Sequence, residues 1–120
     1  MTHTGEIFEH IPTGRDAEDF TALCASGGVR FERIVSTGQA SPPGFWYDQD
    51  EDEFVMLLAG AARLRFADEE GVRELRPGSW AHIAARRRHR VEYTQSEPPT
   101  IWLAVFFPAG LDQTAKPTTD

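Results

Sequence analysis

The side chains best suited to chemistry in this chain are His89 and Glu53, each held in a distinctive spacing. Glu53 is followed by six residues and then Gly60, while Pro77-Gly78 is followed by a strand-like stretch, a turn and His89. Imidazole and carboxylate are good ligands for iron, manganese, nickel or zinc, ions that want three or four donors at about 2.0 to 2.3 Å. An imidazole is also a suitable general base near neutral pH. Several other groups stand near these two in the chain: His82, Gln49, the aromatic run Phe45-Trp46-Tyr47 behind Pro42-Pro43-Gly44, and a basic knot of Arg86, Arg87, Arg88 and Arg90. The aromatics suit the mouth of a pocket, where they would stack on a ring-bearing ligand, or equally a satellite core or a subunit interface. The arginines could hold an anionic ligand, with Arg86 reaching a pocket, or pair with the acidic run from Asp48 to Glu53, which is the simpler reading.

The rest of the chain limits what such groups can serve. With 120 residues, one domain with its own core is expected. Nineteen acidic and twelve basic residues leave a net charge of −7, which repels nucleic-acid phosphates and anionic membranes, so neither is expected as a partner. Cys24 is the single cysteine, which excludes an intramolecular disulfide and any zinc site built on several thiolates. The start Met1-Thr2-His3-Thr4-Gly5-Glu6 has no basic stretch leading into an apolar one, and no run approaches a membrane span, so a cytoplasmic protein is expected.

Patterning then supplies the elements. Residues 1–14 read as a polar arm. The segment from Arg15 to Ser26 has early acids, Phe20, Leu23 and Cys24 on one helical face, and Gly27-Gly28 as a stop, which predicts one short helix. From Val29 onward, short β-branched and aromatic stretches alternate with Gly, Pro and acidic turns, predicting an all-β barrel or two-sheet sandwich. The predicted strands run Val29–Thr37, Glu53–Leu58, Ala62–Ala67, Val72–Arg76, Ser79–Ala84, Arg90–Thr94 and Thr100–Phe107, with room for an eighth near Phe45. The domain organisation expected is arm and helix over 1–28, β-barrel over 29–108, and a polar, frayed tail over 109–120. His82 has the opposite parity to Ala81 and Ile83, so it leaves the core if Ile83 enters it. If the pleat is reversed, His82 becomes a reserve ligand in the pocket.

These spacings resemble the cupin superfamily. Its first motif ends in a Glu, six residues and a Gly, as Glu53 and Gly60 do here, and Gly78 and His89 match its second motif. The runs Val35 to Gln49, Glu53 to Gly60, Arg88-His89-Arg90-Val91 and Trp102-Leu103-Ala104-Val105 look like a group of small bacterial single-domain cupins, a likeness covering Val29 to Phe107. The resemblance implies a double-stranded β-helix, or jelly-roll, barrel in which Glu53 and His89 meet in the interior. It also implies a divalent metal there (Fe, Mn, Ni or Zn) held by His89 and Glu53, with Gln49 as a supplement. The first motif is degenerate: the two histidines that would precede Glu53 fall on Tyr47 and Gln49, or on Trp46 and Asp48. In the second motif Ala84, Arg86 and Tyr93 replace proline, glycine and asparagine, and Phe106 stands where a polar pocket residue is expected for this group.

Three functions are compatible with this chain. A metal-binding cupin enzyme would hold its ion with Glu53 and His89 and touch substrate with Tyr47 or Gln49. A metal-free cupin would bind a small molecule in a pocket lined by Phe45, Trp46, Tyr47, His82 and Arg86, or act as an isomerase with His89 as base and Tyr47 as acid. A scaffold would act through homodimerisation, with edge strands and arm exchanged between subunits. A homodimer is compatible with all three.

Overall fold

Side-chain alternation decides which face each strand buries, and the structure follows it closely. The computed structural model describes residues 2–110 of the chain. Eight strands occur in chain order: β1 (Asp19–Ser26), β2 (Val29–Ser36), β3 (Glu51–Ala59), β4 (Ala62–Phe66), β5 (Arg73–Leu75), β6 (Trp80–Ile83), β7 (His89–Thr94) and β8 (Thr100–Pro108). They form a five-stranded sheet of order β1-β2-β8-β3-β6 and a three-stranded sheet of order β5-β4-β7, with antiparallel pairing throughout. In β4, Ala62, Leu64 and Phe66 are buried while Arg63 and Arg65 lie between them on the other face, paired with Glu74 and Glu92. The core between the sheets gathers Val55, Leu57, Leu64, Phe66, Ile83 and Trp102.

The expected N-terminal helix is not formed. Asp19–Ser26 is instead an edge strand, paired with β2 from Asp19↔Val35 to Ser26↔Val29. The signal read as a helix stop, Gly27-Gly28, is a two-residue hairpin turn, with both glycines at positive φ (59° and 84°). Two left-handed residues match the twist of a tight antiparallel hairpin, and β2 then captures the segment by pairing. A bulge between Ala22 and Cys24 shifts the register there, which disguises the strand's alternation in the sequence. The sheet therefore begins within the segment expected to be arm and helix. Near Phe45 there is no full strand, only one antiparallel bridge between Tyr47 and His89. The arm crosses the barrel: the carbonyls of Ile7 and Glu9 accept hydrogen bonds from buried Arg33 (3.1 and 2.7 Å). The polar tail expected over 109–120 lies, from residue 111, outside the described residues. Among the described residues, no helix is long and apolar enough to cross a membrane.

Candidate functional site

Neighbouring strands bring the chemical side chains together. Val55 and Leu57 of β3 are buried, so Glu53, of the same parity, also faces inward, and it sits opposite Phe106 of β8. His89 begins β7, where Tyr47 N donates to His89 O (2.7 Å) and His89 N to Tyr47 O (3.2 Å). This bridge, which no short-range pattern announces, seats Tyr47 beside His89. The rings of Tyr47 and His89 stack, with centroids 5.3 Å apart and planes 24° apart. Glu53 and His89 meet across the barrel, Oε1 to Nε2, at 3.7 Å.

These residues line one interior cavity of about 150 Å³, together with Gln49, Glu18, Trp102 and apolar side chains from both sheets. His89 is almost fully buried. Its Nδ1 lies 2.9 Å from the carbonyl of Arg87, and a carbonyl only accepts, so Nδ1 carries a proton and Nε2 is the ring nitrogen turned toward Glu53. The phenol of Tyr47 has its pKa raised, first by burial and then by the charges of Glu18 and Glu53. It stays protonated through neutral pH.

That displacement gives a spectroscopic prediction. In a parent-minus-Tyr47→Phe absorbance titration, the missing phenolate step should lie above 10.0, the ordinary tyrosine value, and Glu53→Gln should move it back down. The sign for stability follows from the raised value. The neutral phenol's contribution is intact below its unfolded pKa and is lost as pH rises through the folded one. A step at or below the ordinary value would remove the argument that Tyr47 is held as an acid.

The other residues singled out in the sequence stand elsewhere. Phe45 packs edge-on against Tyr47 and Trp46 lies under the guanidinium groups of Arg88 and Arg90, but neither is a lining residue of the cavity. His82, opposite Phe54, takes the non-core face of β6, with its Nε2 3.8 Å from Asp52 Oδ2. Arg86 pairs with Asp48 (3.0 Å) at the surface and holds φ 68°, so its backbone keeps the left-handed shape that the motif's glycine would supply. Arg87 pairs with Asp68 and Glu69.

Three contributors were not legible. Glu18, just before β1, and Phe20, within it, both expected in a helix, reach the cavity. Arg90 clasps the loop before Tyr47: its Nη atoms donate to the carbonyls of Ser41, Pro42 and Phe45, each at 3.0 Å, while Nε donates to Glu92 (2.7 Å). Lysine has one donor centre where this fork has several. Arg90→Lys should therefore cost about 2 kcal/mol in urea unfolding, and an unchanged midpoint would show the clasp to be idle.

Two sheets closing over an interior His–Glu pair define a small jelly-roll barrel. A candidate mannose-6-phosphate isomerase from Ralstonia eutropha is 44% identical to the chain, covering 90% of it and 100% of its own length with a TM-score of 0.88. An RmlC-like cupin from Desulfovibrio desulfuricans aligns over 90% of this chain and 98% of its own (TM-score 0.71, 13% identity). A cupin superfamily protein from Desulfitobacterium hafniense covers 81% and 83% (TM-score 0.65, 16% identity). No protein-family model matches the sequence, and no curated protein does. The chain belongs to the cupin superfamily.

Proposed function

We propose that this cupin binds a small organic molecule in its barrel without a metal and that His89, Glu53 and Tyr47 can move protons on it. The observation that carries this is the buried His89–Glu53 pair in the cavity lining: His89 Nδ1 is held by the Arg87 carbonyl, and its Nε2 lies 3.7 Å from Glu53.

The donor set does not fit a resident metal ion. Among the described residues, no group of three or more His, Cys, Asp or Glu is placed to hold one. The cavity lining holds one imidazole and two carboxylates, but only Glu53 is paired with His89, and Glu18 accepts from the Ser36 hydroxyl instead. Gln49 adds a neutral amide oxygen, Tyr47 a phenol that keeps its proton, and Phe106 occupies the position facing Glu53. Two converging strong ligands, His89 and Glu53, fall short of the three or four that a divalent ion requires.

The same groups suit general acid–base chemistry. His89 Nε2 accepts a proton from a bound molecule, and the Glu53 carboxylate stabilises the imidazolium that forms. The neutral phenol of Tyr47 returns a proton to a second atom, so the ligand leaves as an isomer. The imidazolium and phenolate left behind are restored by one proton passing back between them. The Ralstonia relative's name points to isomerisation too, but of a sugar phosphate, whereas this cavity's ionisable lining is acidic.

The test is a fragment screen by thermal shift in EDTA. At least one ring compound should stabilise the parent and fail to stabilise His89→Ala. If no fragment binds the metal-stripped protein, or if His89→Ala binds every one as well as the parent, the proposal is lost. A homodimer belongs to the same proposal, supported by edge strand β1, on which Phe20 and Leu23 are exposed. Light scattering at micromolar concentration should give twice the chain mass, and a monomer removes this part alone.

A further inference from the structure

We infer that the barrel's ligand is a single ring carrying a protonated amine, bound with its cation among Glu53, Glu18 and the Gln49 amide oxygen. This rests on the metal-free pocket proposed above and names the class of molecule it takes.

Size comes first. The cavity measures about 150 Å³, and a dry apolar cavity of such volume takes one benzene ring. Its walls suit a ring, because Ile34, Val55, Leu64, Val91, Trp102 and Phe106 all contribute. A ring with a short substituent fills it, and a second ring does not fit.

Charge comes second. Two carboxylates, Glu18 and Glu53, are among the lining residues, and neither an arginine nor a lysine is. Arg30 sits over the Phe106 ring, 4.3 Å from its centroid, but is tied to Glu51 (2.6 Å) and Glu32 (3.3 Å). Among the lining residues His89 is the one basic side chain, and its Nε2 is set 3.7 Å from Glu53. An anion entering this cavity meets like charge in a low-dielectric setting, while a cation is attracted.

Hydrogen bonding comes third, and it is independent of charge. Gln49 Oε1 is buried and finds no partner among the described residues, so an acceptor waits unsatisfied on the cavity wall. Such an atom is destabilising until a donor reaches it. Glu18 accepts from the Ser36 hydroxyl through one oxygen, and its second oxygen is a further acceptor. An ammonium group is all donors, three of them, and carries the charge the carboxylates prefer.

Isothermal titration of the full chain at neutral pH in EDTA separates the possibilities with probes that share one ring. Benzylamine should bind about tenfold more tightly than benzyl alcohol, while benzoate, mannose 6-phosphate and inorganic phosphate give no heat. Glu53→Gln should weaken benzylamine about tenfold and leave benzyl alcohol within a factor of about two, the alcohol reporting that the pocket is still folded. If that variant fails to fold, Glu18→Gln serves with the same expectation. Benzoate or mannose 6-phosphate binding as tightly as benzylamine overturns the inference. So does benzylamine binding no better than the alcohol, or equal benzylamine affinity in the carboxamide variant. Silence from every ring probe is a different failure, that of the pocket itself.

Discussion

A Phe106→His protein is expected to bind one cobalt or nickel ion on the order of a hundredfold more tightly than the parent. Phe106 lies directly opposite Glu53 in the β3–β8 ladder, and both line the cavity that holds His89. Residues directly opposite in an antiparallel pair have their Cβ atoms about 5 Å apart, so an imidazole grafted at this position looks across at the carboxylate. The donor set then becomes two imidazoles and a carboxylate, with the unpartnered Gln49 oxygen beside them. Three converging strong donors plus one weak one is a metal site, and two converging strong donors are not. Calorimetry on chelator-stripped protein gives the affinities, and the ligand-field absorption of cobalt reports its coordination. Equal affinities in parent and variant would falsify the view that Phe106 is what leaves the site one ligand short.

Gly60→Ala should be the most damaging glycine substitution in the barrel. Gly60 has φ +86°, and a Cβ added there would lie 2.6 Å from both the Cα and the Oγ1 of Thr100. Thr100 is fully buried, and its hydroxyl is bonded to the carbonyls of Ala61 and Gln95, so neither backbone nor side chain can yield. The clash adds to the ordinary cost of a left-handed alanine, for a total on the order of 4 kcal/mol. Gly78→Ala is the control, with a similar φ of +95° but open space around its Cβ, and should cost about 1–2 kcal/mol. Urea midpoints of the two variants measure the difference, and matching midpoints would show that Thr100 moves aside.

Both predictions concern positions that the sequence marks, and they show how far it can be read. Seven of the eight strands fall where β-branched stretches and turn residues put them, because alternation is a local property. His89, Glu53 and Gly60 are legible through spacing alone, since the turns between β3 and β4 and before β7 have fixed lengths. The first strand was misread for a physical reason: Gly-Gly ends helices and also closes hairpins, and only pairing with β2, a long-range event, decides between them. Glu18 was lost with that strand. Arg90 was hidden because its partners are backbone carbonyls, which carry no side-chain signature. Phe106 was noticed as an oddity, and its consequence for the site became clear only from the register that faces it toward Glu53.

The hairpin at Gly27-Gly28 has one more consequence. Strand β1 is hydrogen-bonded on a single side, to β2; it carries Phe20, 60% exposed, and Glu18 immediately precedes it, and both residues line the cavity. A strand held from one side is among the cheapest parts of a sheet to detach. If the barrel takes the ligand proposed for it, exchange would be tied to the fraying of a sheet edge rather than to the swing of a loop. The same local opening that admits a molecule would carry away one of the two carboxylates that hold it, so release and loss of affinity are a single motion.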